Sequence, residues 1–268
     1  MTATTTTPQI KLKTVALPAE HGGWGFLLEP ILLGLLVAPS WAGLLIGLGM
    51  FAMFLTRHPL KMAVNDRRRG RRYVRTALAE RFVVAYSAAI LAFLAGALLL
   101  TDLTVFLPLA LALPLMVIQL YYDLTNRSRS VLPELIGPVG LAAASSSIAL
   151  AGGWALADAL PLWGIIAARA VPSVLYVRAR LRLEHGKPVS AWPSLAAHLL
   201  GMAGVVLLAA LGDAPWLPII VFVLLLGRAA LGLSSRRKSV APKVIGFREI
   251  AYGLLVVAST AAGYAAGI

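Results

Sequence analysis

The sequence predicts an all-α, polytopic membrane protein, and three observations support this class. Hydrophobic residues make up 59% of the 268 residues and charged residues only 13%, which is too apolar for an ordinary soluble domain. The apolar residues form many stretches of about 17–25 residues, long enough to cross a hydrocarbon core of roughly 30 Å. Because backbone groups within lipid must be hydrogen-bonded internally, each stretch is predicted to be a helix.

About nine transmembrane helices are predicted, forming a single domain over residues 20–268. The predicted spans are 23–38, 41–57, 81–100, 103–122, 132–151, 154–177, 193–211, 214–232 and 247–267. The preceding segment, 1–19, begins with a threonine-rich run and has no apolar core followed by a small-residue cleavage site. We therefore expect a disordered cytoplasmic tail there rather than a signal peptide.

The charges between the spans predict the orientation. Lys and Arg fall in the tail, in 57–81 and in every second connection after it, whereas the alternate connections near 41, 101, 151 and 211 contain neither. The positive-inside rule makes the basic side and the N-terminus cytoplasmic and the C-terminus external, in a bacterial inner membrane. Topology thus accounts for the net charge of +13, so membrane lipids and not nucleic acid are the expected partners. The absence of cysteine excludes disulfides and thiolate chemistry.

The connection from Arg57 to Arg81 is the longest polar stretch of the chain, with nine of its 24 Lys and Arg residues. If the second span continues as a helix beyond the membrane surface, Asp66, Arg69 and Tyr73 share one face and Asn65 and Arg75 share a neighbouring one. The alternative is a solvated basic collar that contacts anionic lipid headgroups. The Asn65-Asp66 pair favours a ligand-binding site over such a collar, because an acidic residue within a basic stretch needs an arginine or a metal ion as its partner.

A polar stripe is predicted on the sixth span. Arg169, Ser173, Tyr176 and Arg180 follow at steps of four, three and four, which places them on one helix face, and Glu184 continues it. A charge inside a span is costly unless it meets a partner or a wet cavity. Guanidinium forks match the oxygens of a phosphate or diphosphate, so the stripe predicts an anion site.

Other charged residues near the basic side give further candidates. Arg127 and Arg228 complete the predicted anion-binding set, although snorkelling to the interface is the alternative for Arg228. Four candidate acid/base residues or metal ligands, Glu20, His21, Glu29 and His198, lie on or near the same side. A His/Glu metal site is the alternative that they leave open, but their spacing matches no known ligand pattern.

The order of these elements resembles the UbiA-type intramembrane prenyltransferases. The resembling segments are EHGGWGFLLEP at 20–30, VNDRRRGRRYVRTALAERF at 64–82, NRSRSVLPELIG at 126–137 and VLYVRARLRLEHGKP at 174–188. The first of them is most similar to the uncharacterised YwiC-like family of bacterial membrane proteins. The superfamily resemblance implies a helical bundle in which two long cytoplasmic loops cover a central cavity.

The resemblance also implies a site, from which this sequence departs. In the superfamily an Asn-Asp pair is followed by aspartates three and seven positions later that hold Mg²⁺; here those positions are Arg69 and Tyr73. Asp66, Tyr176 and Glu184 would be catalytic. The residues predicted to bind the substrate are Asn65, Arg69, Arg75, Arg127, Arg169, Ser173, Arg180 and Arg228. An arginine-rich site binds diphosphate directly instead of through bridging metal, although Mg²⁺ stays an option.

The predicted function is recognition of a phosphorylated isoprenoid or lipid, with an apolar lateral cavity for its tail. Transfer of the prenyl or lipid group to a cytoplasmic-side acceptor is the enzymatic hypothesis. The alternative is a non-catalytic lipid-binding protein or an organic-anion transporter. A transporter is less favoured because the external halves of the spans lack a polar path.

Overall fold

The computed structural model describes residues 12–18 and 22–268, and it confirms an all-helical protein: this part of the chain contains no strand. The helices are α1 Leu12–Ala16, α2 Gly23–Val37, α3 Trp41–Arg68, α4 Val74–Leu98, α5 Leu107–Leu124, α6 Val131–Ala151, α7 Leu156–Glu184, α8 Trp192–Ala210, α9 Leu217–Leu233 and α10 Pro242–Ala266. A short 3₁₀ helix, Leu103–Phe106, leads into α5.

Seven of the described helices are long and apolar enough to cross a membrane, which supports a multi-pass membrane protein. They are α3 to α8 and α10, whereas α2 and α9 are apolar but shorter. The count of about nine crossing helices therefore stays a prediction. Several helices extend beyond the spans read from the sequence: α3 continues to Arg68 and α7 to Glu184, while α4 begins at Val74 and α10 at Pro242.

Helix α1 lies within the segment for which a disordered tail is predicted. Its buried Val15 packs against Ala63 of α3 and Ala79 of α4. A ring nitrogen of His58 lies 3.1 Å from the carbonyl oxygen of Thr14. These contacts hold α1 against the polar ends of α3 and α4.

Helix α6 lies at the centre of the bundle, packed against α2, α3, α5 and α7. Its residues from Gly140 to Ala149 are all buried, and all but two of them are Gly, Ala or Ser. Such small residues let helix backbones approach closely in a membrane. Gly34 of α2 illustrates the approach, since a Cβ there would lie 2.7 Å from the Cβ of Ile148.

Ion pairs among the described residues concentrate at one end of the bundle, near the C-termini of α3, α5, α7 and α9. They are Arg57–Asp123, Arg67–Glu80, Arg72–Glu80, Arg75–Asp66, Arg169–Glu29, Arg178–Glu134, Arg180–Glu184 and Arg228–Glu249. We call this the polar end. It contains the basic connections whose placement predicts the orientation.

Candidate functional site

Two cavities open among the helices of the polar end. The first, which we call the basic cleft, has a volume of about 460 Å³ and lies between α7, α9, α10 and the loop that joins α9 to α10. The second, the central cavity, has a volume of about 310 Å³ and is lined by residues of α2, α3, α5, α6, α7 and α10. Glu249 of α10 lines both, so the two spaces share a wall.

Six cationic side chains and one carboxylate, that of Glu249, line the basic cleft. The cations are Arg180, Arg228, Arg236, Arg237, Lys238 and Arg248. Clustered guanidinium groups suit an anion with several oxygens, because each group presents several donors at once.

Arg180 fixes the loop side of the cleft. It is only 4% exposed, and its Nη1 donates to the carbonyl of Gly232 at 2.6 Å while its Nη2 donates to that of Lys238. Its charge is paired with Glu184 at 2.8 Å, and Ser239 of the loop donates to the same carboxylate. Arg180 therefore positions the loop that carries Arg236, Arg237 and Lys238.

Arg228 contacts two other predicted residues, His198 and Tyr176, and also Glu249. It pairs with Glu249, its Nη2 donates to Nε2 of His198 at 3.0 Å, and its guanidinium stacks over Tyr176 at 3.9 Å from the ring centroid. The Nδ1 atom of His198 faces the carbonyl of Ser194 at 2.7 Å, which places the ring proton on that nitrogen. Arg228 thus points into the bundle and does not snorkel toward the membrane surface.

The remaining cations of the cleft form no close ion pair with a described residue, although Glu184 lies near enough to Arg237 to interact with it electrostatically. For Arg236, Arg237, Lys238 and Arg248, no carboxylate of the described residues lies within ion-pair distance. Arg180 and Arg228 are balanced by Glu184 and Glu249, so these four carry the excess positive charge. The cleft can accommodate an anion without first breaking an ion pair.

The central cavity contains the most deeply buried charges. Arg169 and Glu29 are 1% and 2% exposed and pair at 3.2 Å. Arg169 also donates to the backbone carbonyl of Glu249 and stacks over Phe26 at 5.3 Å. The guanidinium that heads the predicted stripe on α7 therefore faces a different cavity from Tyr176.

Further ion pairs line the central cavity. Arg57 donates through Nε and Nη2 to Asp123 at 2.8 and 2.6 Å, and Gln119 donates to the other oxygen of that carboxylate at 3.2 Å. Arg178 pairs with Glu134 on another wall. Unlike the basic cleft, this cavity has its arginines paired with carboxylates.

Several predicted site residues lie apart from both cavities. Asp66 accepts from Arg75 at 3.0 Å and from Thr76 at 2.8 Å, an arrangement that joins the end of α3 to the start of α4. Asn65 and Asn126 exchange side-chain hydrogen bonds at 2.8 and 3.3 Å. None of these residues lines either cavity, and neither do Arg69, Tyr73, Arg127, Ser173 and Glu184.

The predicted acid/base or metal-binding residues are likewise dispersed. Glu29 contacts Arg169, Asp66 contacts Arg75, Glu184 contacts Arg180, and His198 contacts Arg228. In the ranges 12–18 and 22–268, no three His, Asp or Glu side chains come together in a way that could hold one metal ion. Glu20 and His21 lie outside the described residues.

Sequence reasoning missed several cavity residues. They include Arg57, Gln119, Glu134, Arg178, Glu249 and the loop cations at 236–238, together with Asp123, which contacts Arg57 and Gln119. A signal was present for some of them: Gln119 and Asp123 are polar residues four positions apart in or beside an apolar span, which places them on one helix face. Glu249 falls near the start of the last predicted span and carries a similar signal.

Comparison with known proteins gives one match. A family model described as YwiC-like protein matches residues 17–151 of the 268. Searches of the curated proteins and of the solved structures give no match. The matched segment runs from α2 to α6 and so includes Glu29, Arg57 and Gln119 of the central cavity, whereas the residues of the basic cleft lie beyond it.

Proposed function

This chain belongs to the YwiC-like family, and we propose that it is a multi-pass inner-membrane protein that binds a phosphorylated lipid through the basic cleft. One observation carries the proposal: the cleft is lined by six cations and a single carboxylate. Phosphate oxygens accept charge-assisted hydrogen bonds from guanidinium groups, each contributing about 1.5–3 kcal/mol. A phosphate or diphosphate group is therefore the ligand chemistry that fits.

The edge of the cleft supports an amphipathic ligand. Leu231 and Ile245 line the cleft together with the arginines. Leu231 is 68% exposed. Phe247, which follows Ile245 by two residues on α10, is 59% exposed. An isoprenoid or acyl tail could follow these apolar side chains into the bilayer while its phosphate stays among the cations.

The orientation follows from the charges. The basic connections lie at the polar end, and positive loops are retained in the cytoplasm. In this proposal the cleft opens on the cytoplasmic side, with the N-terminus there and the C-terminus outside. Phosphorylated lipids made in the cytoplasm would reach it from the inner leaflet.

A second candidate function is transfer of a prenyl group, as in an enzyme of UbiA-like architecture. The shared wall at Glu249 favours it, because ligands in the two cavities would lie next to one another. The carbon–oxygen bond of an allylic diphosphate would break, a bond from that carbon to the acceptor would form, diphosphate would leave, and the proton lost by the acceptor would pass to solvent. Arg228 and Tyr176 would be placed to stabilise the departing charge.

The test is thermal unfolding of the detergent-purified protein with farnesyl diphosphate, farnesyl monophosphate or farnesol, each with and without Mg²⁺. A ligand that binds only the folded protein raises Tm by mass action. We expect both phosphorylated probes to raise Tm and farnesol to leave it unchanged. Stabilisation by farnesol equal to that by the diphosphate would show that only the tail is bound and would overturn the proposal.

Matched variants locate the binding. Arg236→Gln with Arg237→Gln removes two cations of the cleft, and Arg71→Gln with Arg81→Gln removes two exposed cations elsewhere. Loss of charge-assisted hydrogen bonds should weaken diphosphate binding by about tenfold or more in the first variant. The second variant should bind as the unmodified protein does. Equal weakening in both would point to nonspecific attraction by net charge.

The transfer hypothesis needs a separate readout. Membranes that contain the protein are supplied with farnesyl diphosphate and with a cytoplasmic extract as a source of acceptors. Binding of farnesyl diphosphate without its consumption supports a non-catalytic lipid-binding protein. Release of diphosphate that depends on Tyr176, compared with Tyr176→Phe, supports transfer. Movement of the labelled probe across a vesicle membrane would instead favour the transporter.

A further inference from the structure

The central cavity contains buried hydrogen-bonding atoms that the protein does not fully satisfy. Within the described part of the chain, Oε2 of Glu29, Oε1 of Gln119 and Oε2 of Glu249 accept no hydrogen bond, and Oε1 of Glu29 has only its ion pair with Arg169 at 3.2 Å. The Nε atom of Arg169 is buried without an acceptor. All four residues line the cavity and are at least nine-tenths buried. Buried polar groups are normally paired, so this concentration in one place points to a ligand.

Glycines shape the cavity around these atoms. A Cβ at Gly253 would collide with the carboxylate of Glu29, and one at Gly137 would lie 2.9 Å from Oε1 of Gln119. A side chain at either position would displace the carboxylate or the amide. The backbone of α6 and α10 therefore leaves room for Glu29 and Gln119 in their present positions.

The charges around the cavity are already balanced. Glu29 pairs with Arg169, Glu134 with Arg178, Asp123 with Arg57 and Glu249 with Arg228. A cationic or anionic ligand would add an uncompensated charge to a buried space, which is unfavourable. An uncharged ligand can satisfy the open acceptors without that cost.

We propose that the central cavity binds an uncharged polar organic molecule, with N–H or O–H donors directed at Glu29 and Gln119 and an acceptor oxygen directed at Arg169. This site goes beyond the lipid phosphate site of the proposed function and is separate from it. A volume of about 310 Å³ accommodates a molecule of one or two rings. Phe26 and Phe54 provide flat apolar walls for such a ring.

Three probes of nearly equal shape test the charge preference. They are 4-fluorobenzamide, which is neutral, 4-fluorobenzamidine, which is cationic, and 4-fluorobenzoate, which is anionic. Binding to the full-length protein in detergent is followed by fluorine NMR of the probe. We expect the benzamide to bind about tenfold or more tightly than either charged probe. Comparable or tighter binding of a charged probe would overturn the proposal.

Variants then assign the probe to the cavity. Gln119→Leu removes the open amide oxygen while keeping a side chain of similar size, and should weaken benzamide binding by about fivefold. Glu29→Gln should also weaken it, but because this change leaves Arg169 unpaired, Gln119→Leu is the decisive variant. Arg236→Gln with Arg237→Gln in the basic cleft should leave benzamide binding unchanged. Equal benzamide binding by Gln119→Leu and the unmodified protein would reject the site, whatever the outcome for farnesyl diphosphate.

Discussion

At the scale of single residues, Arg169 and Glu29 show how the chain accommodates charge inside an apolar bundle. Each lies inside a predicted span, where an isolated charge costs at least about 2.5 kcal/mol. The sequence alone identifies both as residues in need of partners. It does not show that they are each other's partner, because helical periodicity orders residues along one helix and carries no information on which helices meet.

The pair predicts a non-additive response to mutation. Arg169→Met leaves Glu29 as an uncompensated buried charge, and breaking a buried ion pair in this way costs about 3–5 kcal/mol. Glu29→Gln should destabilise the protein similarly by leaving Arg169 unpaired. The double variant removes both charges, so its loss should be much smaller than the sum of the two. Denaturant unfolding of the four proteins in one detergent provides the double-mutant cycle. Additive losses would contradict direct pairing.

Arg169 and Arg180 show a further limit of sequence reasoning. The spacing of Arg169, Ser173, Tyr176 and Arg180 predicts a common face of one helix, and all four are buried on α7. The stripe nevertheless faces two cavities, because α10 inserts Glu249 between them. One polar stripe is thus divided by a neighbouring helix whose position the periodicity of α7 does not specify.

At the scale of elements, most predicted spans agree with the helices to within a few residues, since a change from apolar to polar sequence usually coincides with the membrane boundary. The exceptions are α3 and α7, which continue past the apolar segment to Arg68 and Glu184, and α4 and α10, which begin before it at Val74 and Pro242. Backbone hydrogen bonding does not require apolar side chains, so hydropathy underestimates helices that extend into water. The extensions of α3 and α7 carry ion pairs of the polar end.

Helix α1 provides a prediction about one element. Val15 is 2% exposed against Ala63 and Ala79, whereas Leu12 is 61% exposed. Val15→Asp should release α1, because burial of such a side chain is worth about 1.5–3 kcal/mol. Amide hydrogen exchange in residues 12–18 should then accelerate by about tenfold or more, with little change in α6.

Leu12→Asp is the matched control for that experiment. It introduces the same charge into the same helix at an exposed position, so exchange in residues 12–18 should change little. If both variants accelerate exchange equally, the exchange rate of residues 12–18 depends on helix propensity or on the added charge, and not on the contact of Val15.

At the scale of the whole molecule, charge separates the two ends of the bundle. The ion pairs and both cavities belong to the polar end, while the connections at the other end, 38–40, 99–106, 152–155 and 211–216, contain no Lys or Arg. Retention of basic loops in the cytoplasm predicts that the polar end faces inward. The phosphorylated ligand proposed for the cleft would then reach it from the cytoplasmic side.

The absence of cysteine makes this orientation directly measurable, since any introduced thiol is the only one in the chain. Ser235 lies in the α9–α10 connection at the polar end and Asp213 in the α8–α9 connection at the other end, and both are exposed. A membrane-impermeant maleimide added to intact spheroplasts should label Asp213→Cys and leave Ser235→Cys unreacted. Inverted vesicles should give the opposite pattern. Labelling of Ser235→Cys from outside would reverse the topology and place the basic cleft on the external face, out of reach of ligands delivered from the cytoplasm.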